Sequence, residues 1–187
     1  MKTIKANFIY HDKGSVSIEA SIIFGLLIIL IVLIADIGKA LINQGKMDRL
    51  SYAMASIIRE KSLFQDTQEL TPEHALSIYK ILQNMSKDFL PKDSSVSLKL
   101  EAMYFSPNTL NSPKIQKILT YDFGDFNCTL ANNFEENANL SVQASHKRYL
   151  PLYRATTCME QKNSFSPILN LVEKIIKIQS SSIVLER

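Results

Sequence analysis

The sequence lacks the common signatures of catalysis. It has no phosphate-binding loop, no nucleophile-elbow motif and no Cys-x-x-Cys pair. Its three histidines stand at no metal-ligand spacing to one another or to the cysteines. The tripeptide Asp122-Phe123-Gly124 matches part of a kinase metal site, but no glycine-rich loop or catalytic His-Arg-Asp accompanies it. We therefore expect no enzyme, no metal site and no cofactor.

Glycine, proline and net charge are also low. Five glycines and six prolines in 187 residues, without repeats or low-complexity tracts, indicate a folded domain. The net charge of +3 and the scattered basic residues do not favour a nucleic-acid partner. There are only two cysteines, Cys128 and Cys158. In an exported domain they would form one disulfide, and in the cytosol they would be two buried thiols.

One long apolar run stands near the N-terminus. No charged residue occurs from Ala20 to Ala35, and the apolar pattern continues to Ile42 once the Lys39 ammonium reaches the headgroups. We expect a single membrane-spanning helix at about residues 18–42. Residues within the expected span include Ala20, Phe24, Leu30 and Ala35.

Charge also predicts the orientation of that helix. The residues before the run include three lysines and one aspartate, which favours a cytoplasmic N-terminus. Everything after about Asp36 would then lie outside the cytoplasm.

An acidic residue, Glu19, stands at the start of the apolar run. A carboxylate costs on the order of 2.5–3.5 kcal/mol near the centre of a membrane helix, and less near its end, so such a residue is a functional candidate. The order of a basic segment ending in Lys13-Gly14, four residues, Glu19 and an apolar helix resembles the processing site of type IV pilin-like precursors. This resemblance implies that a membrane-embedded prepilin peptidase cuts between Gly14 and Ser15.

Physical chemistry offers a reason for that spacing. Cleavage would free an amine on Ser15, about one helical turn from Glu19. An amine and a carboxylate about 4 Å apart attract by roughly 4 kcal/mol at an effective dielectric near 20, which would offset the cost of the acid. Pairing with the amine of a neighbouring subunit would also set the stagger between packed helices.

Two simpler interpretations stay open for the N-terminal region. One is an ordinary secretory signal with a cleavage site at Gly38-Lys39-Ala40, which Glu19 and Asp36 disfavour. The other is an uncleaved single-pass anchor that carries a periplasmic adaptor or binding module.

The junction at Gly14 and Glu19, the start at Ser15, the short span and the small head together resemble the minor pseudopilins of tight-adherence (Tad) pilus systems, the TadE and TadF group. Chain size and a late cysteine favour TadF. Major pilins of these systems have Tyr after the Glu, whereas Ala20 stands here. The resemblance implies a bacterial inner-membrane protein that helps to initiate or prime assembly of a Tad (Flp-type) adhesive pilus. Its implied partners are the prepilin peptidase, other pilus and pseudopilin subunits and the assembly platform.

The expected fold class is α+β. A cleaved leader at residues 1–14 precedes a long N-terminal helix at 15–64, whose first half spans the membrane. That helix packs on a periplasmic head at residues 65–187 with a short antiparallel sheet and helices.

Several elements of the head follow from local patterns. Thr71-Pro72 begins a helix that ends near Phe89. Alternating apolar residues predict strands from Val96 to Tyr104 and from Leu140 toward Tyr149, with a weaker strand at Tyr153–Cys158.

Four further expectations concern less regular segments. A short helical turn is expected at Ile115–Leu119, and a strand broken at Gly124 is expected within residues 121–129. Near the C-terminus, Ser166-Pro167 precedes an apolar stripe that predicts a helix to about Lys177, which the serines at 180–182 would end. The residues 183–185 would form a last strand or a docking tail.

Overall fold

The computed structural model describes residues 13–64, 69–90, 94–107, 112–129, 132–144, 148–162 and 175–186. Its elements, in chain order, are α1 (Lys13–Phe64), α2 (Pro72–Phe89), β1 (Val96–Phe105), β2 (Ile115–Phe123), a 3-10 helix (Phe134–Leu140), β3 (Leu152–Lys162) and β4 (Ile175–Leu185). The predicted α+β class is confirmed. The chain divides into two compact units, one ending at Lys39 and one beginning at Ala40, which we call the head unit.

The first unit consists, in its described part, of the N-terminal portion of α1. Within the described residues, one helix is long and apolar enough to cross a membrane. Large apolar side chains are exposed on all its sides, which is typical of a helix that contacts lipid rather than a protein core. Near the end of this unit, Lys39 Nζ lies 3.7 Å from Asp36 Oδ1.

The head unit is built on a four-stranded antiparallel sheet in the order β2-β1-β3-β4. Leu100 in β1 lies opposite Tyr121 in β2 and Ala155 in β3, at the centre of the sheet. The strands predicted at β1 and β3 are therefore confirmed.

The helix predicted after Thr71 is also confirmed. The Thr71 side chain accepts a hydrogen bond from the His74 backbone N–H at 3.4 Å, and Pro72 occupies the first helical position. Just before this helix, the Tyr104 hydroxyl accepts from Leu70 N–H at 2.7 Å and the Tyr121 hydroxyl donates to Leu70 C=O at 3.1 Å. Two sheet tyrosines thus position the start of α2.

Two predictions about the sheet are wrong. The expected helical turn at Ile115–Leu119 is part of β2, which pairs with β1 through Phe123 before the chain turns at Gly124. In the described part of the strand expected from Leu140 toward Tyr149, Leu140 ends the 3-10 helix and a single bridge joins Gln143 to Tyr149. Residues 145–147 lie outside the described residues. At Ile115–Leu119, pairing with β1 rather than the local pattern decides the structure.

The predicted C-terminal helix is wrong where the structure describes it. Residues 163–174 lie outside the described residues, but Ile175–Lys177 begin β4 and the three serines continue it instead of ending a helix. Every residue of β4 lies opposite one of β3, from Ile175 against Lys162 to Leu185 against Leu152. This long antiparallel ladder outweighs the helical spacing of the isoleucines.

Two apolar clusters cover the two faces of the sheet. On one face, α1 and α2 pack on alternate residues of the strands, and the fully buried side chains of this larger cluster include Met47, Met54, Ile78, Leu82, Leu98, Leu100, Tyr153 and Met159. The opposite face carries a smaller cluster formed by Met103, Phe105, Phe134 and Leu152. We call these the helix face and the strap face, because the described residues at 124–129 and 132–140, which we call the strap, lie on the second one.

Candidate functional site

The candidate processing site lies in the first turns of α1. Gly14 and Ser15 belong to its first turn, and Glu19 follows about 6 Å farther along the helix axis, with an exposed side chain. An amine on Ser15 would therefore lie one turn from the Glu19 carboxylate. This spacing is a property of the helix.

The four span residues named from the sequence all lie in the same helix. Phe24 is 65% exposed and Leu30 is 51% exposed, Ala35 is also exposed, and Ala20 is half-buried. Full burial of a side chain as large as Phe24 or Leu30 in hydrocarbon is favourable by roughly 1.5–3 kcal/mol. Single-pass membrane anchoring through α1 accounts for this exposed apolar surface.

Within the head unit, α1 contacts β3 and β4 through polar groups as well as apolar ones. Ser51 Oγ lies 3.0 Å from Ser180 Oγ and 2.8 Å from Ser182 Oγ. Thr157 Oγ1 donates to the Met47 carbonyl at 3.2 Å. We call this set the serine seam; it was missed in the sequence because hydroxyl contacts over more than 100 residues leave no local signal.

The two cysteines meet on the strap face. Cys128 and Cys158 form a disulfide with their Cα atoms 5.8 Å apart, and both residues are buried. The chain reaches Cys128 through Gly124, whose φ of 113° favours glycine and where any Cβ would collide with Ser97 Oγ. The disulfide joins the strap to β3, 30 residues later in the chain.

A buried ion pair makes a second connection on the same face. Arg154 Nε donates to Glu101 Oε2 at 2.6 Å, and the two side chains are 5% and 8% exposed. The same guanidinium lies 4.6 Å from the centre of the Phe134 ring and donates to the Asn132 carbonyl at 3.3 Å. Arg154 therefore orders the part of the strap that contains the 3-10 helix.

One tyrosine of the helix face has a shifted pKa. Burial raises the pKa of Tyr104 above its ordinary value, while the hydrogen bond from Leu70 N–H acts in the opposite direction. The hydroxyl therefore stays neutral at physiological pH. Its role is to hold the start of α2 against the sheet.

The described residues combine an apolar anchor helix, an acidic residue near its start and a small head that is cross-linked by a disulfide. In the described ranges, no group of three or more His, Cys, Asp or Glu side chains is placed to hold a metal ion.

Comparison with known proteins identifies the family. The family TadF, described as "Putative tight adherence pilin protein F", matches residues 7–187. Comparisons with curated proteins and with solved structures give no match. The family match extends through the anchor helix and the head, and it agrees with the Tad resemblance drawn from the Gly14 and Glu19 junction. This chain therefore belongs to the TadF family of tight-adherence pilin-like proteins.

Proposed function

We propose that this chain is a minor pilin-like subunit that helps to initiate or prime assembly of a Tad pilus. The observation that carries the proposal is the family match across residues 7–187. The single apolar helix and the small α+β head are consistent with a subunit that begins assembly from the membrane. Membership of a pilin family also implies contact with other pilus subunits.

The proposed chain organisation has three parts. Residues 1–14 are a leader, 15–64 form the N-terminal helix with a span at about 18–42, and 65–187 form the periplasmic head. The lysines before the span support an N-terminus in the cytoplasm and an inner-membrane location. The disulfide between Cys128 and Cys158 supports an oxidising compartment for the head.

Processing is the first step of the proposed mechanism. A prepilin peptidase cuts between Gly14 and Ser15 and leaves a cationic amine on Ser15. Glycine before the cut bond adds no side chain and lets the backbone extend, which suits entry into a protease site. This proposal requires the first turn of α1 to open in the peptidase.

Assembly is the second step. The Glu19 carboxylate is costly in hydrocarbon when alone and favourable beside an amine of opposite charge. A Ser15 amine on a neighbouring subunit supplies that charge, so association of helices stabilises both groups. The assembly platform then receives this subunit together with the other pilus and pseudopilin subunits.

The priming role is tested by varying the amount of the protein in cells that make the other Tad components normally. A subunit needed to start fibres controls how many fibres form, because each start needs it and each elongation step does not. We expect fewer pili of unchanged length at low expression, counted by electron microscopy. Shorter pili in normal numbers would contradict priming and favour a role along the fibre.

A further inference from the structure

β4 is a terminal strand of the sheet, so its outer side forms one of the two sheet edges. Among the described residues, β4 pairs with β3 alone, over all eleven residues from Ile175 to Leu185. It contains no proline and a single charged residue, Lys177. Natural sheets usually protect an open edge with charges, prolines or bulges. This edge has little such protection.

The register shows which backbone groups face outward. In an antiparallel pair, successive residues point their N–H and C=O groups alternately toward the neighbouring strand and away from it. Glu186 N–H donates to the Pro151 carbonyl at 3.1 Å, in register with the β3–β4 ladder, so residues two and four positions before it also bond to β3. The backbone groups of the intervening residues, Ser181, Ile183 and Leu185, therefore point away from the sheet.

One contact of α1 agrees with this assignment of outward backbone groups and occupies part of the edge. Gln179 belongs to the outward set, and its carbonyl accepts a hydrogen bond from Gln44 Nε2 at 3.0 Å. The helix thus occupies the edge at that residue. From Ser181 to Leu185, no backbone partner for the outward groups occurs in the described ranges.

The two sides of this free edge differ in character. On the helix face, Ser180 and Ser182 contact Ser51 through their hydroxyls. On the strap face, Ile183 and Leu185 are half-buried against the smaller apolar cluster. A strand added here would need small side chains toward α1 and apolar side chains on the other side.

The helices that cover the sheet disfavour one possible occupant of this edge. That occupant is a second copy of the head whose sheet continues this one and whose helices lie on the same side. At the β4 edge, α1 lies directly over the strand, since Ser51 touches Ser180 and Ser182. At the β2 edge, the Tyr79 ring of α2 stacks on Phe123 at 5.3 Å. Adjacent strands are about 4.8 Å apart, whereas packed helices need about 8–10 Å between their axes. A segment without its own overlying helix fits better.

We propose that the β4 edge from Ser181 to Leu185 binds an extended, uncharged segment of another pilus subunit as a fifth strand of the sheet. A row of outward N–H and C=O groups is complemented by the backbone of another strand. Proteins often bind extended peptides in this way, by adding a strand to an open sheet edge. This inference rests on the proposed pilus role. It adds the surface and the kind of segment that the surface binds.

The first test compares Ser181→Pro with Ser181→Ala in the full-length protein, in membranes of cells that express the other Tad subunits. Proline removes an outward N–H and places its ring at the edge, yet it breaks no bond to β3 and is tolerated on edge strands. Alanine keeps the N–H. We expect crosslinking to the other pilus subunits to fall at least about tenfold for proline and to stay within about twofold for alanine, at equal protein level and disulfide content.

The outcomes separate this inference from the proposed function. Equal crosslinking by Ser181→Pro and wild type would overturn strand addition and leave the pilus role intact. If the wild type itself crosslinks to no pilus subunit, both proposals fall.

A second measurement does not depend on a proline variant that folds. Residue-resolved amide exchange is measured on the purified full-length protein in detergent, alone and in complex with the other pilus subunits. We expect Ser181, Ile183 and Leu185 to exchange rapidly when alone and slowly in the complex, while Ser182 and Val184 stay protected in both. Rapid exchange of the outward amides in the complex would overturn the inference. So would their protection in the protein alone at high concentration, which would identify a second copy as the occupant.

Discussion

Arg154 and Glu101 face each other across β3 and β1 and form an ion pair that is almost fully buried, with Arg154 Nε 2.6 Å from Glu101 Oε2. Desolvation makes such a pair a weak source of net stability, because its attraction mainly offsets the cost of burying both charges. Its main structural effect is to position the strap on the sheet. The same guanidinium contacts Phe134 and Asn132, so the pair determines where the strap crosses the sheet.

Removing one partner of this ion pair should destabilise the protein far more than removing both partners. Arg154→Met removes the guanidinium from the buried Glu101 carboxylate and leaves it the Lys99 ammonium, 3.8 Å from Oε1 on a side chain that is 25% exposed. We therefore expect a loss in the free energy of unfolding near the lower end of the roughly 3–5 kcal/mol typical of a broken buried pair. Adding Glu101→Leu to that variant should recover most of the lost free energy of unfolding. Urea unfolding of the full-length protein in detergent, followed by circular dichroism, measures both effects.

A matched control is available in the exposed pair of Lys117 and Glu69, whose side chains are 47% and 54% exposed. Lys117→Ala should change the free energy of unfolding by no more than about 1 kcal/mol. A double variant at Arg154 and Glu101 that is as unstable as the single one would show that the pair's charges are not the cause.

The disulfide should stabilise the head against unfolding. Replacing Cys128 and Cys158 together with alanine removes a link that closes a separation of 30 residues. In the chain-entropy model this lowers the free energy of unfolding by roughly 3–4 kcal/mol. Urea unfolding measures the loss, and non-reducing mass mapping shows the pairing. Two free thiols in wild-type protein taken from the periplasm would refute the prediction.

Local patterns in the sequence were sufficient for some elements. Thr71-Pro72 marks the start of α2, and the alternation of apolar and polar residues from Val96 to Ala102 marks β1, because capping and side-chain alternation act within a few residues. The structure buries both faces of β1, which the alternation did not predict. The spacing of Ile115, Ile118 and Leu119 suits a helix equally well. At those residues, backbone pairing with β1 determines that the segment is a strand. Such pairing depends on a partner strand elsewhere in the chain, which a local pattern does not reveal.

The same distinction applies to the candidate sites. The processing junction at Gly14 and Glu19 is contiguous in sequence, so it can be predicted from the sequence. The serine seam joins Ser51 to Ser182 across 131 residues, and the ion pair joins Glu101 to Arg154 across 53. Serines and single charges are common, so neither contact has a sequence pattern that distinguishes it from solvated residues.

Glu19→Ala should separate assembly from membrane insertion. The change removes a charge from the apolar end of the span, so insertion should be unchanged or easier. Cleavage should largely persist, because the cut bond lies on the Gly14 side. Association with other pilus subunits should fail, and pili with it, since the carboxylate no longer attracts a neighbouring amine. Crosslinking and fibre counts in a strain carrying only the variant measure this.

The control for that variant is Glu60→Ala, which removes another exposed acid from α1 outside the expected span. It should leave crosslinks and fibres unchanged. Normal fibres in the Glu19→Ala strain would mean that the acid is incidental, and a plain membrane anchor would become the better interpretation.

The most direct test of the account is the N-terminal sequence of the protein isolated from its native membrane. In cells with an active prepilin peptidase, we predict that the mature chain begins at Ser15. Replacing Gly14 with a bulky residue such as Leu should leave a precursor heavier by roughly 1.5 kDa, the mass of a leader of this length. Wild-type protein that retains Met1 to Gly14 in those cells would contradict the processing step and favour an uncleaved anchor.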